Sequence, residues 1–232
     1  MIGHLLLAGV VLLPSSGVDY QLGGAYPLPA GVGIVARDRT EAPAAGAYNI
    51  CYVNAFQTQP GALRWWRSKH PRLVLGVKDQ AWGEWLLNTR RPRALAKVVG
   101  RWIDGCARDG FEAVEPDNLD SWTRSNGRLT KADNVRYATL LIRRAHDAGL
   151  AIAQKNAASL SPRRLFDFAV VEECQRYNEC GRYTRAYGDQ VIEIEYRRQD
   201  FEAACDARSV PIVYRDRMLR TPDSPGYRFE AC

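Results

Sequence analysis

From residue 32 onward, short apolar runs alternate with longer stretches in which apolar residues recur every three or four positions. The short runs read as strands: Val32–Ala36, Asn49–Asn54, Leu73–Val77, Glu112–Glu115, Ala151–Lys155, Phe168–Glu172, Val191–Glu195 and Val210–Tyr214. Between them, Arg93–Arg108 sets Leu95, Val98, Val99, Trp102 and Ile103 on one helical face. Ala132–Ala148 does the same with Val135, Ala138, Leu141, Ile142 and Ala145. Gly110 and Gly149 stand just past these helices, where C-terminal caps fall. Such alternation predicts a parallel sheet with crossover helices, closed into a single-domain (β/α)8 TIM barrel. Val18–Leu22 is expected as an extra N-terminal strand, and Asp38–Ala47, rich in Pro, Ala and Gly, as a loop without a helix. An open doubly wound sheet is the alternative, but no GxGxxG follows the first strand.

Charge narrows the class of partner. The 232 residues carry a net charge of +6, yet the arginines are scattered through the helical stretches. No basic block interleaved with aromatics is present, so a solvated surface is expected rather than a nucleic-acid interface. The apolar run Leu5–Leu13 is too short to span a bilayer and is followed by Pro14-Ser15-Ser16-Gly17. That pattern suits a signal peptide over residues 1–17, leaving a domain over 18–232, although no Lys or Arg precedes the run. A buried first strand is the other reading. Six cysteines agree with a secreted, monomeric chain that has no membrane contact once the leader is cut. Of 15 possible connectivities, Cys174–Cys180 closes a short loop, Cys205–Cys232 staples the C-terminus, and Cys51–Cys106 follows by elimination. Three histidines and no CxxC give no reason to expect a metal or any cofactor.

In such a barrel the active site forms at the C-terminal strand ends. The polar residues at those positions are Asp38, Asn54, Lys78-Asp79, Glu115-Pro116-Asp117-Asn118, Asp120, Lys155-Asn156, Glu172-Glu173, Glu195-Tyr196 and Arg215-Asp216. Asp38 and Asp216 suit helix caps or rim ion pairs as well as ligands. Asp117 and Glu172 stand apart. Pro116 cannot donate to a central ladder, so it ends its strand and sends Asp117 over the mouth. Glu172 closes the wholly apolar run Phe168–Val171. Two carboxylates facing each other across the mouth are what glycoside hydrolysis needs.

The segment Gly110-Phe111-Glu112-Ala113-Val114-Glu115-Pro116-Asp117-Asn118-Leu119-Asp120 resembles the signature of glycoside hydrolase family 114, the endo-α-1,4-polygalactosaminidase-type barrels. Tyr20-Gln21-Leu22-Gly23-Gly24, Cys51-Tyr52-Val53-Asn54, Gly83-Glu84-Trp85-Leu86, Gln154-Lys155-Asn156, Glu172-Glu173-Cys174 and Glu195-Tyr196 extend the resemblance over about residues 18–216. One departure is Asn88, where the pattern carries Asp.

The resemblance implies Asp117 as nucleophile and Glu172 as general acid/base, with Glu173 its rival, since one register step exchanges them. Asp38, Asn54, Glu115, Asn118, Asp120, Lys155, Asn156, Glu173, Glu195 and Tyr196 are then expected to line the substrate, with Trp82, Trp85 and Trp122 as stacking platforms. The implied activity is retaining hydrolysis of an α-1,4-linked galactosamine polysaccharide outside the cell, with Glu172 kept protonated by its acidic neighbour. The alternatives are a hydrolase of neutral α-galactosides, an aldolase-type barrel using Lys155 as a Schiff base, and a barrel that binds polysaccharide without cutting it.

Overall fold

The computed structural model of the protein describes residues 12–160 and 165–232. Most of the expected leader therefore lies outside the described residues. Three strands come first without helices between them: β1 (Gly17–Gln21), β2 (Val32–Asp38) and β3 (Tyr48–Val53). Next come α1 (Leu63–Lys69), β4 (Val74–Lys78), β5 (Trp85–Leu87) and α2 (Pro92–Asp109). The second half alternates: β6 (Ala113–Pro116), α3 (Lys131–Asp147), β7 (Ala151–Lys155), β8 (Phe168–Glu172), α4 (Cys180–Tyr187), β9 (Val191–Glu195), α5 (Arg198–Ala207), β10 (Ile212–Arg215) and β11 (Phe229–Ala231).

The main sheet runs β1-β2-β3-β6-β7-β8-β9-β10-β11. Its strands are parallel except β11, which lies antiparallel on β10. The expected barrel is observed, with one change of roster. The strand expected before the barrel, β1, is part of the barrel wall, paired in parallel with β2. Leu73–Val77 is not part of the wall. Its strand, β4, pairs antiparallel with β5 as a separate ribbon, and β3 pairs directly with β6. A short apolar run does not distinguish a wall strand from a rim ribbon. Here Gly76, in the left-handed region at φ +80°, and an exposed face over Val74–Lys78 belong to a ribbon, since wall strands are buried on both faces.

The sheet's two ends are joined by side chains. Arg215 on β10 and Asp19 on β1 are both fully buried and meet at 2.6 Å, and Arg215 also donates to the Tyr20 carbonyl. Removing one partner of such a buried pair generally costs about 3–5 kcal/mol, because the other charge is stranded. All three expected disulfides are formed. Cys51–Cys106 ties β3 to α2, Cys205–Cys232 ties α5 to the C-terminus, and Cys174–Cys180 closes the loop after β8. No helix among the described residues is long and apolar enough to cross a membrane.

Candidate active site

Strand alternation sorts the polar residues at the barrel mouth. Side chains two apart share a face, and one face of each wall strand packs on helices. On β6, Val114 packs outward with α2 and α3, so Ala113, Glu115 and then Asp117 point inward. On β7 the inward set is Ala151, Ala153 and Lys155; on β8 it is Phe168, Val170 and Glu172; on β9 it is Ile192 and Ile194, followed by Tyr196. The apolar members fill the barrel interior, and the polar members surface together above them.

Apart from Glu115, which lies one layer below, they line a cleft of about 710 Å³. Lys155 is its hub. Its Nζ lies 3.0 Å from Glu115, 3.2 Å from Glu172 and 3.9 Å from Asp117, and donates to the Tyr20 hydroxyl at 2.8 Å. Tyr20 in turn donates to Glu115, which is wholly enclosed beneath the cleft. Burial alone would lower the Lys155 pKa, but Asp117, Glu172 and Glu115 outweigh it and hold it well above the ordinary lysine value. Lys155 is therefore an ammonium without a free lone pair, and an aldolase-type Schiff base loses its nucleophile.

Asp117 accepts from the Tyr52 hydroxyl at 2.8 Å and from the Asn118 backbone at 2.6 Å. Glu172 accepts from Asn156 Nδ2 at 2.9 Å and from the Tyr196 hydroxyl. Burial pushes the Glu172 carboxyl up, but Lys155 and the donors Tyr196 and Asn156 outweigh it and hold it below the usual glutamate range. That corrects the expected protonated Glu172. Lys155, 3.2 Å away, favours its ionised form, so the proton that a general acid needs is taken up only at acidic pH.

Nine of the expected residues line the cleft: Asp38, Asn54, Asp117, Asn118, Asp120, Lys155, Asn156, Glu172 and Tyr196. Glu115, Glu173 and Glu195 do not. Glu115 is inward but one layer too deep. Glu173 follows the last residue of β8 at φ +54°, and its carboxylate pairs with Arg176 and Arg217 outside the cleft lining. Glu195 also points outward, and burial pushes its carboxyl up to about 7. Trp82 borders the cleft, whereas Trp85 stacks under Arg67 and Trp122 packs on the core. Asn88 is not at the rim; its amide faces the Arg72 carbonyl.

Sequence reasoning overlooked Tyr20, Tyr52, Arg124, Arg217 and Glu84 as site residues. Tyr52 carried a signal: it alternates with Cys51 and Val53, whose side chains pack outward. Glu84 bonds Asn54 at 2.8 Å, and burial first, against that bond, pushes its carboxyl up to about 7. It stands between the strands of the β4–β5 ribbon, of which only the first is expected from the sequence, and that as barrel wall, so its arrival in the cleft was not legible. Six carboxylates (Asp38, Asp79, Glu84, Asp117, Asp120 and Glu172) face three cations (Lys155, Arg124 and Arg217) around the cleft.

Solved structures that share the fold include the following three. Ega3 from Aspergillus fumigatus, solved in complex with galactosamine, aligns at 24% identity and TM-score 0.79, covering 94% of this chain and 95% of that one. A variant of the glycoside hydrolase domain of PelA from Pseudomonas aeruginosa aligns at 16% identity and TM-score 0.70, covering 89% and 96%. The α-galactosidase TtGalA from Thermus thermophilus aligns at 12% identity and TM-score 0.55, covering 90% of this chain but 59% of its own. No curated protein matches in sequence. The model of glycoside-hydrolase family GH114 matches residues 9–232, nearly the whole chain around this two-carboxylate cleft. The chain belongs to glycoside hydrolase family GH114 and is a glycosidase.

Proposed function

We propose that the enzyme cleaves α-1,4-linked galactosamine polymers with retention, using Asp117 as nucleophile and Glu172 as general acid/base. The observation that carries this reading is the pair of carboxylates on either side of one buried ammonium. Their oxygens lie 3.9 and 3.2 Å from Lys155 Nζ, so they are no more than 7.1 Å apart. That bound includes the ~5–5.5 Å of retaining pairs and reaches only the lowest part of the ~6.5–9.5 Å typical of inverting ones. Asp117 attacks the anomeric carbon while Glu172 protonates the departing sugar oxygen, leaving a glycosyl ester on Asp117. Glu172, now a carboxylate, takes a proton from water, which attacks the same carbon and frees Asp117. Lys155 holds the two acids in place without entering either step.

Amino-sugar selectivity follows from charge. Even with Glu84 counted as neutral, five carboxylates face three cations around the cleft, which favours a substrate carrying ammonium groups. Ega3, solved with galactosamine, supports the same choice. Deacetylated, fully acetylated and neutral α-1,4-linked polymers of matched length should therefore be cleaved in that falling order. Added salt should raise KM for the amine form most, because screening weakens its attraction to the acids. Equal rates on a neutral galactan, or equal salt dependence, would overturn the charge argument.

Export belongs to this reading as well. Three disulfides persist in an oxidising compartment, and the apolar run at the N-terminus suits a leader. The enzyme is expected in culture medium without titratable thiols after denaturation. Retention in the cell, or several free thiols, would count against it.

A further inference from the structure

Beside the cleft lies a chamber of about 260 Å³ whose chemistry is different. Asn54 and Gln59 belong to both, so the two are contiguous. The chamber's other walls are Arg39, Ala62, Trp65, Trp66 and Trp102, and no carboxylate among the described residues lines it. Trp65 is 40% exposed, while Trp66 is buried and meets it edge-on at 5.1 Å, forming an aromatic corner. The Arg39 guanidinium stacks over Trp102 at 4.5 Å. Arg39 makes no ion pair among the described residues, and its Nε is buried without a hydrogen-bond acceptor. An arginine held flat on an indole, with no hydrogen bond or ion pair to its outer guanidinium nitrogens among the described residues, keeps those nitrogens for an acceptor that the protein does not supply.

We infer that this chamber binds an N-acetylated hexosamine unit of the polymer whose cleavage occurs in the main cleft. The inference rests on the galactosamine reading and adds a preference to it. The aromatic corner offers flat apolar surface to one face of the sugar ring and to the acetyl methyl. The acetyl carbonyl accepts from Arg39. A free amine is disfavoured there, because its ammonium would meet the Arg39 guanidinium, while the carboxylates behind the shared wall, Asp38 and Glu84, are engaged by Gln59 and Asn54. The two compartments thus select opposite forms of one sugar. The acidic cleft takes the amine at the cleaved linkage, and the chamber takes the amide some units away, so the preferred substrate is a partly acetylated chain.

The test compares α-1,4-galactosamine oligomers of one length, fully deacetylated or partly N-acetylated. The enzyme is expected to show a higher kcat/KM on the partly acetylated set, mainly through KM. Arg39→Gln should reduce that preference about fivefold, the worth of one ordinary hydrogen bond. Trp65→Ala, at an exposed position, should reduce it too and guards against a folding defect in the first variant. No preference in the wild type, or a preference that both variants retain, overturns the inference. Tighter binding of an oligogalacturonate, abolished by Arg39→Gln, would also overturn it and assign the chamber to an anionic sugar. If no galactosamine oligomer is cleaved, the functional reading fails separately. Calorimetry on the same oligomers then decides the chamber, where Arg39→Gln must weaken only the acetylated ligand.

Discussion

Asp117→Asn is expected to lower turnover of the polymer by about 10⁴-fold or more, and Glu172→Gln by about 10²–10⁴-fold, with polymer binding nearly intact in both. The two losses should differ in kind. Glu172→Gln can still form the glycosyl ester from a substrate whose leaving group needs no proton, and azide can then displace Asp117 from it. Two inversions give an α-glycosyl azide. In Asp117→Asn no ester forms; azide occupies the place of the missing carboxylate and attacks once, giving the β-glycosyl azide. Product anomers read by NMR separate the roles, because a binding barrel yields neither product and an inverting enzyme does not yield the α-azide. Normal hydrolysis by Asp117→Asn would end the assignment. Glu84 and Asp120, which line the same cleft, would then be tested next.

Much of the barrel was legible because its wall strands are buried on both faces and read as short apolar runs. Ala151–Lys155 and Phe168–Glu172 fall where the sequence indicates, and the inward positions at their ends supply Lys155 and Glu172. The choice between Glu172 and Glu173 was legible in principle. The alternation of Phe168 and Val170 with Ala169 and Val171 fixes the parity, but only once one residue is known to face a helix. Residues whose partners are distant in sequence were not legible. Asp19 looks like an ordinary polar residue in a strand, and its burial has a cause only when Arg215, at the far end of the chain, closes the sheet against it. The same is true of Glu84, which is set against Asn54 only by the antiparallel pairing of β4 with β5. Trp102 packs on the core from the expected helix face, and its half-buried ring also supports Arg39 in the chamber, a contact distant in sequence.

The activity should also have an acidic optimum, falling about 10³-fold in kcat/KM between roughly pH 4.5 and 7.5. As general acid, Glu172 must carry a proton in the free enzyme, and Lys155, Tyr196 and Asn156 hold its carboxyl below the ordinary glutamate value of 4.5. Above that folded-state value, the protonated fraction falls about tenfold per pH unit, and kcat/KM falls with it. The sign for stability is the reverse. A depressed carboxyl contributes stability above the ordinary value and loses it as pH falls through the folded value. The enzyme should thus work best where its hub begins to loosen. Tyr196→Phe removes one donor to the carboxylate while leaving Lys155 in place, so Glu172 should become easier to protonate and the alkaline limb should move to higher pH. Glu84 makes the experiment decisive. Its carboxyl is pushed up to about 7 and lies in the same cleft, so if Glu84 were the acid the limb would sit near pH 7. Tyr196→Phe would leave such a limb where it was, and Glu84→Gln would abolish it.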